Sequence, residues 1–127
     1  MRVLDLHLSP RPRAVPTARH ALDQLIGLVS ESSLEDARLL VSELVTNSVR
    51  HAGLDPSEDV LLRAEIVGTS LRVEVRDEGR GFELPPRKPD AAGNGGWGLF
   101  LVAQLADRWG LVDDGATTVW FEIPLYR

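Results

Sequence analysis

The chain predicts an α/β two-layer sandwich, with three helices on one face of a mixed, mostly antiparallel sheet. Apolar residues recur at helical spacing in three separated segments, at 18–29, 34–52 and 99–106. Short strand-like runs lie before and between them, at 2–8, 60–67, 70–76, 111–112 and 117–123. Two pairs of these runs are joined tightly, by Gly68-Thr69 and by Asp113-Asp114-Gly115, as antiparallel hairpins are. No repeat or linker divides the 127 residues, so 1–127 reads as a single domain of a length that can bury one core.

Taken in order, Leu4, Leu6 and Leu8 alternate in an opening strand that stops at the Ser9-Pro10-Arg11-Pro12 run. Pro16 suits the first turn of a helix, and Ala18, Ala21, Leu22, Leu25, Ile26 and Val29 carry that helix to about Ser30. Ser32 and Glu35 fit a capping box for a central helix from about Leu34 to His51, stopped by Gly53. In the 70–76 strand Leu71, Val73 and Val75 alternate with Arg72, Glu74 and Arg76, which predicts one buried and one polar face. Residues 83–96 hold three prolines and three glycines and read as a flap rather than a helix or strand. The third helix is expected to end near Gly110.

Composition narrows the function. The hydrophobic share is 43% and the charged share 26%, ordinary for a soluble globular chain. A net charge of −5 with no Lys/Arg cluster argues against a direct nucleic-acid partner. There are no cysteines, so disulfides, thiolate metal sites and cysteine nucleophiles are excluded. No apolar run reaches membrane-spanning length, and Asp5 and His7 interrupt the first apolar stretch, so no signal peptide is expected. The expected location is cytoplasmic.

Three motifs carry chemistry. On the central helix, Glu43 and Asn47 stand four residues apart, which stacks them on one face about 6 Å apart along the axis. Val41, Leu44, Val45, Ser48, Val49 and Ala52 form the stripe that seats this helix. A carboxylate and an amide projected together can serve as a base and a metal ligand. A solvated polar face is the plainer alternative. The second motif, Asp77-Glu78-Gly79-Arg80-Gly81-Phe82, ends a strand. Its glycines let backbone pass close to a flat ring, and its carboxylate can accept a hydrogen bond from an exocyclic amine. Alone it is also an ordinary tight turn. The third, Gly93-Asn94-Gly95-Gly96-Trp97-Gly98-Leu99, precedes the third helix. Glycines there expose N–H groups where the helix dipole favours anions. It lacks the Gly-Lys-Ser/Thr of a Walker loop, and its context is not that of a dinucleotide βαβ unit.

The order of these motifs resembles the GHKL ATPase superfamily, whose fold is the Bergerat ATP-binding sandwich. Within it, ELVTNSVRHA, VRDEGRGF, GWGLFLVAQLADRWG and TTVWFEIP resemble the bacterial anti-sigma-factor serine/threonine kinases of sporulation and stress response, over residues 10–124. The resemblance implies ATP and Mg²⁺ as cofactors. It implies that Asn47 binds the Mg²⁺ that bridges the phosphates and that Glu43 is the general base toward a serine hydroxyl. Asp77 holds the adenine amino group, Gly79 and Gly81 shape the adenine pocket, Gly96 and Gly98 line the phosphates, and Thr118 supports the adenine edge. His51 reads as structural or peripheral. The implied partners are an anti-sigma-factor antagonist as substrate, a sigma factor to be sequestered, and a second copy of the chain in a homodimer. There are two departures from the family pattern. Arg87 and Lys88 stand in the flap where a phosphate-gripping arginine is expected beside the glycines, and Trp97 replaces a polar or basic residue. The chain is also shorter than typical members.

The competing function is a nucleotide-dependent binding module with little turnover. Glu43 favours the kinase, because a pure binder needs no base there. A histidine-kinase catalytic domain would call for a phospho-accepting histidine on a dimerisation helix, and His20 has no such context.

Overall fold

The computed structural model describes residues 1–51, 58–78 and 97–127. In chain order the elements are β1 (Arg2–Leu8), α1 (Ala14–Ala21), a 3₁₀ turn (Leu22–Leu25), α2 (Glu31–His51), β2 (Val60–Val67), β3 (Ser70–Asp77), α3 (Trp97–Leu105), β4 (Arg108–Asp113) and β5 (Thr117–Pro124). The sheet runs β1-β2-β3-β5-β4. Every one of its strand pairs is antiparallel, so the mixed, mostly antiparallel sheet expected is wholly antiparallel among the described residues.

Strand period 2 sorts the side chains onto two faces. On one face Leu4, Leu8, Val60, Leu62, Ala64, Leu71, Val73, Val75, Val119, Phe121 and Ile123 are buried. They join Leu40, Val41, Leu44 and Val45 of α2, Ala14 and Ala18 of α1, and Leu99 and Val102 of α3 in one core. α2 packs against both neighbouring helices and against β3 and β5, so it is the central support of the layer.

The helix boundaries differ from the periodicity in three places. The first helix gives way to the 3₁₀ turn at Leu22 and ends where Gly27 takes φ +84°, a left-handed geometry that favours glycine. The central helix starts at Glu31, not Leu34. Its cap is Ser30, whose Oγ accepts the Ser33 N–H at 3.2 Å, as an N-cap hydroxyl does. Ser32 and Glu35 are exposed instead. The Ser33 hydroxyl donates to the Pro124 carbonyl at 2.7 Å, tying this start to the end of β5.

The third correction concerns Gly110. It lies inside β4 opposite Trp120 rather than closing α3. A Cβ at Gly110 would fall 2.6 Å from the Trp120 Nε1 atom, so glycine is required for the indole to lie across the strand.

Candidate functional site

The site is built where α2 crosses the ends of β3 and β5. In β3 the helix-side positions are 71, 73, 75 and 77. That parity turns Asp77 inward, where it is 2% exposed. A buried carboxylate needs hydrogen-bond partners, and the Ser48 hydroxyl donates to Asp77 Oδ2 at 2.6 Å. Ser48 is itself fully buried. It counts toward the apolar stripe by its spacing alone, yet it fastens α2 to the end of the strand.

Fastening Ser48 fixes the rotation of α2, and with it the face next to Ser48. Asn47 is buried on that face, and Glu43 lies one turn earlier, half-buried. Burial raises the Glu43 carboxyl above its ordinary range, and the Arg50 guanidinium partly opposes this. Glu43, Asn47 and Arg50 sit at helical spacings of four and three residues, so they share a side of the helix. A carboxylate whose proton affinity is raised by partial burial is a stronger base than an exposed one.

Among the expected residues, Asp77 is tied to α2 through Ser48, which follows Asn47 in sequence and lies just over a turn beyond Glu43. The structure places Thr118 elsewhere. Thr118 pairs with Arg76 in the sheet register, and its hydroxyl accepts from Arg76 Nη1 at 3.1 Å on the face away from the helices. The residue opposite Asp77 is Thr117, which is 1% exposed and shares the inward parity of Val119, Phe121 and Ile123. That parity is visible in the sequence as the alternation of TTVWFEIP, and it assigns the inward position to the first threonine. Gly98 lies in the first turn of α3. Gly79, Gly81 and Gly96 fall outside the described residues, as do Arg87 and Lys88.

The donor set can be tested against the implied cofactors. Asp77, Ser48 and Thr117 are buried polar groups at one strand end, a combination suited to a heterocycle that presents both a donor and an acceptor. No group of three or more His, Cys, Asp or Glu side chains that could hold a metal occurs among the described residues. Mg²⁺ is usually held by one or two protein ligands together with substrate phosphates and water. Asn47 can supply such a ligand.

Comparison with known proteins bears on the family and the fold. The profile of the histidine kinase-like ATPase domain matches residues 8–123. The chain belongs to that family. It is 34% identical to the serine-protein kinase RsbW of Listeria monocytogenes over 132 aligned positions, covering 91% of this chain and 83% of that protein. It is 29% identical to the serine-protein kinase RsbW of Oceanobacillus iheyensis, covering 82% and 75% respectively. Among solved structures it resembles the blue-light activated histidine kinase of Erythrobacter litoralis EL346, with TM-score 0.54 and 26% identity. That likeness covers 94% of this chain and 46% of the histidine kinase.

Proposed function

We propose that this family member is an ATP- and Mg²⁺-dependent serine/threonine protein kinase whose substrate is an anti-sigma-factor antagonist, and that it also sequesters a sigma factor in the cytoplasm. The observation that carries this reading is the Ser48–Asp77 hydrogen bond. It ties α2, the helix that carries Glu43 and Asn47, to the strand end where Asp77 is buried. The serine-protein kinase names of the relatives support the class of activity. Among the described residues no helix is long and apolar enough to cross a membrane.

Phosphoryl transfer asks for positioning and charge neutralisation more than for covalent chemistry. ATP with Mg²⁺ supplies the phosphoryl group and the local positive charge. Asp77 orients the base by accepting from its exocyclic amine, with Thr117 alongside. Asn47 provides an oxygen ligand to the cation. Glu43 accepts the proton of the attacking serine hydroxyl. Gly79, Gly81, Gly96 and Gly98 are assigned to the walls of the site, where the absence of a side chain allows close approach.

The test is a titration of the chain with ATP, with and without Mg²⁺, followed by a transfer assay with an antagonist protein. Glu43→Gln is expected to keep ATP affinity and to lose about 10²- to 10⁴-fold in transfer rate, the contribution of a positioned base. Transfer by this variant at the parental rate would remove Glu43 from the chemistry. ATP binding without any transfer by the parent chain would make the protein a nucleotide-dependent binding module.

A further inference from the structure

The helix α3 has nine residues and no basic side chain in its last turn. A helix this short is marginal alone, and Gly98 in its first turn lowers its propensity further. Its placement is therefore imposed by tertiary contacts. Leu99 and Val102 are buried in the core. Just past the helix, the Asp107 N–H donates to the Glu122 carbonyl at 2.9 Å.

The cation that its C-terminus lacks comes from Arg127. Arg127 Nη2 donates to the Leu105 carbonyl at 2.9 Å and lies 3.5 Å from Asp107 Oδ1. Its Nη1 donates to Asp36 Oδ2 on α2 at 2.6 Å. Its backbone N–H donates to the Ser30 Oγ that caps α2, at 3.0 Å. A guanidinium with two carboxylates and a helix-terminal carbonyl is a geometric clamp, since its fork fixes direction as well as charge. It also complements the negative end of the α3 dipole.

We propose that Arg127 is a positioning residue for the nucleotide: by bridging Asp36 and the Leu105 carbonyl, it sets the angle at which α3 presents its first turn to the phosphates. This rests on the nucleotide reading above. The two helices it joins are those that carry Glu43 and Asn47 on one side and the end of the glycine run on the other. The first turn of α3 lies about 12 Å along the axis from Leu105, so a small rotation at the clamp displaces the phosphate end.

Arg127→Gln and Arg127→Lys, each titrated with Mg-ATP and with adenosine, test this. Arg127→Gln is expected to bind Mg-ATP about five- to tenfold more weakly, within the usual range of site coupling, and adenosine as the parent does, because adenosine carries no phosphate. Amide exchange across 99–105 should accelerate while the β2–β3 hairpin is unchanged. Arg127→Lys keeps the charge without the fork and should fall between. Parental Mg-ATP affinity in Arg127→Gln, or an equal loss for adenosine, overturns the proposal. If Arg127→Gln does not fold, Asp36→Ala removes one acceptor and leaves the Leu105 bond; it should show the same pattern at smaller size, and no selective loss of Mg-ATP affinity in it overturns the proposal. A parent chain that binds no ATP overturns the nucleotide reading and this proposal with it. A parent that binds, with Arg127→Gln indistinguishable from it, overturns the clamp alone.

Discussion

The two faces of the sheet are made by the same strands and solve opposite problems. The helix side is apolar except at its end, where Asp77 and Thr117 are buried beside Ser48. The open side is a lattice of charge. Arg2, Glu65, Arg72, Glu122 and Arg108 face one another across all five strands, alternating in sign. Arg72 donates to Glu122 at 3.0 Å and stacks over the Trp120 ring, 4.2 Å from its centroid. Glu122 is only 12% exposed at its side chain, so these groups cover one another in place of a second layer. The open face thus spends its polar groups on mutual pairing. The helix face concentrates a few of them at one place, where a ligand can take part in the pairing. Exposed ion pairs contribute little individually, whereas a buried polar group carries a large penalty if its partner is lost.

The largest expected contrast between the faces is in stability. Phe121 is fully buried on the helix side, and Phe121→Ala should cost about 3–5 kcal/mol through lost burial and the cavity left behind. Its neighbour Trp120 lies on the open face over Gly110 and under Arg72. Trp120→Ala should cost clearly less, because solvent fills the space and the cation–π contact is worth about 0.5–2 kcal/mol. Urea unfolding of both variants measures this. Equal losses would mean that the open face is as much a core as the other.

Much of this contrast is legible in the sequence, because period-2 alternation in LRVEVRD and TTVWFEIP reports burial directly. The same rule assigns Asp77 and Thr117 to one face and Thr118 to the other. Motif resemblance alone places the threonine one residue along, and a one-residue slip exchanges the faces. The helix ends are less legible for local reasons. Ser30 and Ser32 are both plausible caps by composition, and the choice is made by the contact of Ser33 with the Pro124 carbonyl, 91 residues away in sequence. Gly110 resembles a helix stop until the Trp120 indole lies against it. Ser48 is indistinguishable from an apolar-stripe residue until Asp77 is brought within 2.6 Å. The Arg127 clamp has no local signature, since its partners come from α2, α3 and the turn before β4.

The next contrast is a matched pair of threonines. Thr117→Val and Thr118→Val remove the same hydroxyl with nearly the same shape, one residue apart. Thr117→Val should weaken ATP binding by about 1 kcal/mol, the usual net worth of a hydrogen bond. Thr118→Val should leave ATP affinity unchanged and only release Arg76 from its bond at 3.1 Å. Calorimetric titration of the two variants reads the difference. A loss in Thr118→Val without one in Thr117→Val would place the nucleotide on the open face and reverse the assignment.

The smallest effect tests whether Glu43 is anchored for stability as the open-face carboxylates are. Burial raises the Glu43 carboxyl above its ordinary value of 4.5, against the pull of Arg50. The folded chain therefore keeps this proton to higher pH than the unfolded chain. In that window the native state binds more protons, so the stability Glu43 contributes falls as pH rises. The contribution is complete below the unfolded value and is lost as pH passes the raised folded value. At neutral pH the native state carries a half-desolvated charge that the unfolded chain would hydrate freely. Glu43→Gln should accordingly melt at a higher temperature than the parent at pH 7–8, with the gap closing toward pH 4. Melting curves of both proteins across that range test the sign. A parent that is the more stable of the two at pH 8 would show the carboxylate to be anchored by a partner, as the open-face carboxylates are. A variant that gains stability while losing transfer would instead mark Glu43 as a residue whose unfavourable environment is kept for its chemistry.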